Sequence, residues 1–268
     1  CIIDWRCILP NENVVFEKRP KNPIVVIPAR MASTRLPGKP IADIAGEPMV
    51  VHCWRRAIEA DVGPVIVACA ESEVARVIEA VGGVAVMTDP ALQSGSDRVA
   101  AALKKVDPGE KHDVILNLQG DLPTLDPDSI RSVLSGFSRI EVDIVTLACQ
   151  ITDKNEISNP NVVKAVISME SNKTVGRALY FSRASVPAGL GNYYHHIGIY
   201  AYRRAALFNF ISLPVSNLEK REKLEQLRAL EAGMNIEVVL VDTVPLGVDT
   251  PIDLDRARVL LGSVVGNC

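Results

Sequence analysis

The chain has 268 residues, 48% apolar and 23% charged, which is enough to bury the core of one large domain. Its net charge of −3 excludes a general attraction to nucleic acid or to an anionic membrane surface. No apolar run approaches the roughly 20 residues of a membrane span. The six scattered cysteines are typical of a reduced cytoplasmic protein. We therefore expect a cytoplasmic protein with no nucleic-acid or membrane partner, whose anionic ligands are held by locally placed cations.

The first twenty residues show no periodicity, and we interpret them as a poorly ordered extension before a single domain over 21–268. From there, short β-branched runs alternate with helical periods. A helix is predicted to begin at Pro48, with Val51, Trp54, Ala57 and Ile58 on one apolar face. Four strands are predicted, at 24–27 (which ends before Pro28), 65–69, 84–87 and 114–118. Three further helices are predicted: one at 72–81, one that contains Val99, Leu103 and Val106, and one that begins at the N-cap Asp126. This order favours an α/β fold with a mostly parallel sheet flanked by helices.

The alternation of strands and helices ends at about residue 140. After it, strands are predicted at 143–148, 162–168, 178–182 and 196–202, with few helices between them. We interpret this stretch as a small β-rich lobe, at about 150–215, laid on the main sheet. Helices are then predicted at 204–211 and 218–232, the second ending at Gly233, followed by a strand at 236–242 and a final helix capped by Thr250.

The loop after the first strand is the most informative stretch. In an open α/β sheet this loop lies at the carboxyl edge, where ligands bind. Small residues at 32–34 allow the backbone to approach a phosphate closely, and Arg30, Arg35 and Lys39 supply three cations within ten positions. Clustered cations in a chain of negative net charge are what a triphosphate requires. A solvated basic loop is the alternative interpretation.

Two aspartates follow predicted strands and can reach the same edge. Asp121 comes after the strand at 114–118, preceded by Gln119 and Gly120, and Asp249 follows the last strand. Two carboxylates that converge on phosphates are the usual protein ligands of Mg²⁺. Either aspartate could instead be a turn former or a helix cap.

The run 27–40 strongly resembles the nucleotide-binding loop of 3-deoxy-manno-octulosonate (Kdo) cytidylyltransferases. Further segments match this family in the same order, so that the resemblance covers about residues 24–260. They are QSGSDR (93–98), NLQGDLP (117–123), NPNVVK (159–164), ALYFSR (178–183), HIGIYAYR (196–203), LEQLR (224–228) and GVDTP (247–251). The implied fold is that of the nucleotide-diphospho-sugar transferases.

The resemblance implies a Mg²⁺-dependent transfer of CMP from CTP to Kdo, with release of pyrophosphate, for lipopolysaccharide biosynthesis. The anomeric hydroxyl would attack the α-phosphorus in line, without a side-chain nucleophile. The metal ligands would be Asp121 and Asp249, which with Arg30, Arg35 and Lys39 form the expected catalytic set. The CTP site would comprise Pro28, Ala29, Arg30, Ser33, Arg35, Lys39, Gln119 and Gly120, and the sugar site Arg98, Arg183, His196, Tyr200, Glu225 and Gln226. The family also implies a homodimer that pairs through the β-rich lobe.

Three alternatives stay open at this point. One is a CMP-sialate-type cytidylyltransferase, the second a metal-dependent glycosyltransferase, and the third a non-catalytic nucleotide-binding protein. Two departures from the family put the cytosine contacts, which we expect near 68–71 and 93–96, in doubt. Residues 69–71 are Cys-Ala-Glu where the family commonly has Thr-Asp-Asp, and Leu92 stands where a His is common.

Overall fold

The computed structural model describes residues 20–33 and 35–265. The predicted extension at 1–20, apart from Pro20, lies outside these ranges. The strands are β1 (Pro23–Ala29), β2 (Asp43–Ile44), β3 (Glu47–Pro48), β4 (Val65–Cys69), β5 (Val84–Met87), β6 (Val114–Asn117), β7 (Ile144–Gln150), β8 (Lys164–Ser168), β9 (Val175–Ser182), β10 (Tyr194–Arg203) and β11 (Ile236–Val241). The helices are α1 (Met49–Ala60), α2 (Ser72–Ala80), α3 (Gly95–Val106), α4 (Pro127–Val133), α5 (Lys154–Ser158), α6 (Arg204–Ser212), α7 (Asn217–Glu222), α8 (Gln226–Glu231) and α9 (Pro251–Val265).

Nine of the described strands form one sheet, in the order β5-β4-β1-β6-β10-β7-β11-β9-β8. The first four of these strands are parallel, as the alternation of strands and helices predicts. Strand β10 then pairs antiparallel with both β6 and β7. The strands predicted to form a β-rich lobe are thus hydrogen-bonded through β10 to the parallel half of the sheet and extend it.

Strand β10 changes its partner along its length. Tyr200 pairs with Asn117 at the end of β6, whereas His195 pairs with Lys164 of β8. Because β8 also pairs with β9, the strands β10, β7, β11, β9 and β8 close into a ring of pairings. The register of β10 with β7 shifts between Ile197 and Tyr200, so β10 carries a bulge just beyond the end of β6.

Hydrophobic layers cover both faces of the sheet. One layer packs Val51 of α1, Ile78 of α2 and Ile130 of α4 against the inner strands. The opposite layer packs α3, α6 and α8, with Leu103 and Leu227 fully buried. Helix α1 buries Val51 and Ala57 as predicted, but the prediction for Ile58 is wrong, since its side chain is 47% exposed.

Two predicted element boundaries are wrong. Strand β1 continues through Pro28 to Ala29, because the ladder with β6 ends at Val26 and so requires no N–H donor from Pro28. The predicted helix at 218–232 is two helices, α7 and α8, which are separated at Lys223. This residue has φ +56°, a left-handed conformation that ends α7.

Candidate active site

The loop that follows β1 is fixed by contacts to its backbone and by one buried side chain. The Met31 N–H donates to Glu71 Oε2 at 2.9 Å, and the Gly38 N–H donates to the Met31 carbonyl at 3.3 Å. Gly38 has φ +71°, which a glycine adopts without strain, and it leads into a 3₁₀ turn at Lys39. Leu36 is buried with residues of α1 and α9. The cations of this loop are therefore attached to an anchored backbone.

The two aspartates are brought together by a backbone contact between distant loops. The Val248 N–H donates to the carbonyl of Asp121 at 3.0 Å, and Val248 itself is fully buried. Asp249, the next residue, therefore lies beside Asp121 after β6. Thr250 and Asp253 then cap α9 through reciprocal hydrogen bonds, as predicted for Thr250.

Lys39 joins both aspartates. Its Nζ donates to Asp121 Oδ2 at 2.7 Å and to Asp249 Oδ1 at 2.8 Å, while an Arg35 guanidinium nitrogen lies 3.0 Å from Asp249 Oδ2. Burial acts to lower the pKa of Lys39, but the two carboxylates outweigh it and raise that pKa. Burial acts to raise the pKa of Asp249, and its bonds to Lys39 and Arg35 outweigh it and lower that pKa. Lys39 and Asp249 are thus both charged near neutral pH.

A cleft of about 370 Å³ opens beside this ion cluster, at the carboxyl ends of β1 and β6. All of the residues expected to bind CTP line it. Its lining is Pro28, Ala29, Arg30, Ala32, Ser33, Arg35, Lys39, Pro40, Ser94, Gly95, Arg98, Gln119, Gly120 and Asp121. Thr34 lies outside the described residues. The expected meeting of the basic loop and both aspartates is present in the structure.

Gly120 also allows two loops to approach each other. A Cβ on Gly120 would lie 3.2 Å from the Pro28 carbonyl oxygen and 3.5 Å from Ile27 Cγ2. The first of these contacts is tighter than side chains ordinarily make. The absence of a side chain therefore brings the end of β6 against the end of β1.

Arg98, which the resemblance places in the sugar site, lies in the wall of this cleft. Its side chain is 2% exposed, and its Nη1 donates to Thr88 Oγ1 at 2.6 Å and to the Asp89 carbonyl at 3.2 Å. Its Nη2 has no partner among the described residues. Burial lowers the pKa of Arg98. A buried guanidinium with an unused donor group beside a cleft is suited to an anionic or carbonyl acceptor on a ligand.

His196 lies just before the bulge of β10 and is held there as a neutral imidazole. Its Nε2 lies 2.9 Å from Thr146 Oγ1, whose single proton is directed to the carbonyls of Ile197 and Ile199 at 3.2 and 2.7 Å. The Nε2 of His196 must therefore be the donor, which leaves Nδ1 as an acceptor. Burial lowers the pKa of His196 to about 3. The ring of Tyr200 lies 5.6 Å from it, centroid to centroid, as the spacing on one strand face predicts.

Glu225 and Gln226 lie at the start of α8, which packs on the sheet face that carries Tyr200, and Glu225 contacts the start of α3. The Ser96 hydroxyl donates to Glu225 Oε2 at 3.4 Å, and burial raises the pKa of Glu225. Gln226 is 6% exposed, and its Nε2 has no partner among the described residues. On the same face, the buried Asn117 also leaves its Oδ1 without a partner in the described chain. Buried unpaired polar atoms of this kind are uncommon and suit a polar ligand.

Arg183 is not among the residues that line the cleft. Its Nε donates to the Glu222 carbonyl at 3.0 Å, and its Nη1 to the Pro160 carbonyl. Its own carbonyl accepts from the buried Lys164 at 2.8 Å. The structure thus shows Arg183 joining β9 to the segment before β8 and to the end of α7, and its expected sugar contact stays a prediction.

Sequence reasoning missed three supporting residues. Glu71 belongs to a segment that departs from the family pattern, yet it fixes the loop after β1 through the N–H of Met31. Asn117 lies within the matched run 117–123, where a polar residue inside a buried strand was the available signal. Thr146, fully buried in β7, gave no such signal, because its role depends on the bulge in β10.

The chemistry of the two aspartates suits Mg²⁺. No group of three or more His, Cys, Asp or Glu side chains that could hold a metal occurs in the residues described. Asp121 and Asp249 supply carboxylate oxygens close to a single ammonium nitrogen, that of Lys39. Asp121 and Lys39 line the cleft, whereas Asp249 is not among its lining residues. Mg²⁺ commonly binds through one or two carboxylates, substrate phosphates and water, so two ligands are sufficient.

Comparison with known proteins defines the class of this chain. The family described as Cytidylyltransferase matches residues 24–236, so the chain is a cytidylyltransferase by family. A solved structure of CMP:2-keto-3-deoxy-manno-octonic acid synthetase complexed with CTP is similar, with a TM-score of 0.84 and 39% identity. The match covers 91% of this chain and 100% of the solved one. The nucleotide-diphospho-sugar transferase fold is therefore confirmed.

Two curated relatives narrow the family. The 3-deoxy-manno-octulosonate cytidylyltransferase of Paramagnetospirillum magneticum is 62% identical, over 89% of this chain and 97% of the relative. That of Rhodospirillum rubrum is 63% identical, over 90% and 96% respectively. The chain belongs to the 3-deoxy-manno-octulosonate cytidylyltransferase family. Within the described residues, no helix is both long and apolar enough to cross a membrane.

Proposed function

We propose that this protein transfers CMP from CTP to Kdo and releases pyrophosphate. The observation that carries the proposal is the ion cluster of Lys39, Asp121, Asp249 and Arg35 at the mouth of the cleft between β1 and β6. Membership of the Kdo cytidylyltransferase family supports the same reaction. The product would enter lipopolysaccharide synthesis, and we place the reaction in the cytoplasm, where CTP is made.

The triphosphate is held by the loop after β1. Arg30 and Arg35 are exposed along one side of the cleft, where their guanidinium groups can bind phosphate oxygens in a bidentate manner. The anchoring of this loop by Glu71 and Leu36 fixes the backbone that carries these cations. Fixed positive charge near the α-phosphate and the leaving pyrophosphate stabilises the charge that develops during transfer.

Asp121 and Asp249 would hold Mg²⁺ together with phosphate oxygens. When bound, the ion supplies Lewis-acid stabilisation of the phosphate charge and lowers the pKa of a hydroxyl that it contacts. The two aspartates are held beside each other by the contact of Val248 with Asp121. The protein itself then orients the two substrates and needs no covalent intermediate.

The sugar lies in this proposal on the sheet face that carries Asn117, Tyr200 and Gln226. The unpaired Oδ1 of Asn117 and Nε2 of Gln226 are suited to hydroxyl groups of the sugar. His196, with Nδ1 as an acceptor, adds a site for a further hydroxyl. Arg98, whose Nη2 has no partner in the described chain, is the nearest buried cation in the cleft wall for the sugar carboxylate or the cytosine carbonyl.

Measurement of pyrophosphate release with CTP, Mg²⁺ and Kdo tests this proposal. We expect release to require all three components and to fall sharply when sialic acid replaces Kdo. Preferential turnover of sialic acid would assign the chain to the CMP-sialate type. Release of CDP in place of pyrophosphate would indicate a glycosyltransferase, and CTP binding without any release would indicate a non-catalytic nucleotide-binding protein.

We also propose that the protein is a homodimer that pairs through the region of β8 to β10. Leu190 stands fully exposed between Gly189 and Gly191, beside a groove that Ile151 and Ile157 help to line. An exposed leucine next to a groove that is lined in part by apolar side chains is suited to a contact with a second copy. Light scattering after gel filtration should give twice the chain mass for the native protein and a monomer for Leu190→Asp. A dimer that persists in this variant would place the contact elsewhere.

A further inference from the structure

Lys39 lies between the two carboxylates that would hold the metal. Its Nζ is 2.7 Å from Asp121 Oδ2 and 2.8 Å from Asp249 Oδ1, and its side chain is only 14% exposed. Arg35 contacts the other oxygen of Asp249 at 3.0 Å. The formal charges of these four side chains, two positive and two negative, sum to zero.

This arrangement disfavours a free divalent ion. Mg²⁺ gives up its water reluctantly and needs strongly negative oxygen ligands at 2.0–2.1 Å. Here one oxygen of each aspartate already accepts a hydrogen bond from an ammonium group. An ion bound by Asp121 and Asp249 would lie close to that positive charge in a half-buried site, where screening by water is weak.

A triphosphate changes this balance. Lys39 and Arg35 both line the cleft in which the phosphates would lie, so the same cations can exchange carboxylate partners for phosphate partners. The long, flexible side chain of Lys39 allows such an exchange without a backbone movement. The exchange would leave both carboxylates available at the moment when phosphate oxygens arrive to complete the ligand shell of the ion.

We propose that Lys39 acts as a stand-in for the metal ion, because its ammonium group occupies the carboxylates of Asp121 and Asp249. Binding of a nucleoside triphosphate then draws Lys39 away from the two aspartates. Metal and nucleotide then enter the site together, and free divalent ions are kept out of it. The inference rests on the proposed function, because that function supplies the triphosphate. It adds that Lys39 has two successive partners, the aspartates first and the phosphates second.

Binding of Mn²⁺ to the protein without nucleotide, followed by electron paramagnetic resonance of the free ion, tests this inference. We expect Lys39→Met to bind Mn²⁺ about tenfold or more tightly than the native protein, because the competing charge is removed. Lys39→Arg keeps the charge and should bind as weakly as the native protein. Lys111→Met removes an exposed lysine outside the cleft and is the matched control.

A second substitution locates the effect. In Lys39→Met combined with Asp121→Asn, the gain in Mn²⁺ affinity should disappear if the two aspartates are the ligands. Should Lys39→Met not fold, Lys39→Gln carries the same test with a neutral hydrogen-bond donor. A neutral variant whose Mn²⁺ affinity stays within twofold of the native value would overturn the inference.

Turnover of CTP and Kdo is measured separately on the native protein. Product formation together with an unchanged Mn²⁺ affinity in the neutral variant would remove the stand-in role and leave the proposed function intact. A gain in Mn²⁺ affinity without any turnover in the native protein would remove the proposed function and leave the competition between Lys39 and the metal established.

Discussion

Asp121→Asn separates the chemistry of the site from the stability of the fold. The substitution keeps the shape of the side chain and removes one of the two negative charges near Lys39. Asp121 is 32% exposed, and Lys39 retains its bond to Asp249 at 2.8 Å. The loss of one partly exposed charge-assisted bond should therefore lower the free energy of unfolding by only about 1 kcal/mol.

The effect on the reaction should be much larger. Removing one preorganised group that stabilises charge in a transition state costs about 10²–10³ in rate, or about 3–4 kcal/mol. We expect kcat/KM for pyrophosphate release with Kdo to fall by this factor in Asp121→Asn. For a chain of this size, a loss of about 1 kcal/mol corresponds to a fall in Tm of about 2–4 °C.

A coupled assay of pyrophosphate and a thermal melt measure the two quantities on the same preparation. Asp128→Asn is the matched control, since Asp128 also pairs with an arginine (Arg131) but is 80% exposed and lies outside the cleft. It should leave kcat/KM unchanged. If Asp121→Asn kept kcat/KM within threefold of the native value while folding normally, Asp121 would have no place in the reaction.

Three further predictions concern two buried side chains, His196 and Gln226, and a pair of exposed glycines, Gly63 and Gly82. Between pH 6.5 and 5, the free energy of unfolding measured in urea should fall by about 1–2 kcal/mol more in the native protein than in His196→Gln. The reason is that His196 takes up a proton in the unfolded chain (pKa 6.5) but stays neutral in the folded one (pKa about 3). The same pH dependence in both proteins would contradict this. Gln226→Met should raise the free energy of unfolding by about 1 kcal/mol, because it removes the buried amide nitrogen Nε2, which has no partner among the described residues. The same change should raise KM for Kdo about tenfold. An unchanged KM would exclude Gln226 from the sugar site. In chemical denaturation, Gly63→Ala should lower the free energy of unfolding by about 3 kcal/mol or more, because the new Cβ would lie 2.2 Å from the Pro23 carbonyl oxygen. Gly82→Ala, at a residue with φ +80° and open space around it, should lower that free energy by about 1 kcal/mol. Similar losses in the two variants would contradict the clash at Gly63.

Much of the fold could be predicted because each element carries its own local signal. The strands at 65–69 and 84–87 and the cap at Asp126 agree with the structure, since apolar runs and capping residues act over a few positions. The errors at Pro28 and Lys223 have another cause. Whether a proline is tolerated in a strand depends on the length of the neighbouring strand, and a left-handed residue that ends a helix has no fixed sequence signal.

The site was predictable as a region, but the pairing of its charges was not. Topology brings the ends of parallel strands to one edge, which is sufficient to place Asp121 near the basic loop. The bond of Lys39 to Asp249 joins residues 210 positions apart and depends on the contact made by Val248. The unpaired amide of Gln226 is likewise a property of packing, because the sequence alone is compatible with a solvated position on α8.

The change of partner along β10 has a consequence for sequence variation. Tyr200, His196 and the bulge between them lie on one strand, whose register against β6 fixes their position relative to the end of β1. An insertion of one residue within 197–200 would turn either His196 or Tyr200 to the other face of the sheet. An insertion at 188–192, which precedes the strand and is exposed, would leave that register intact. Single-residue length variation among homologues should therefore be absent from 197–200.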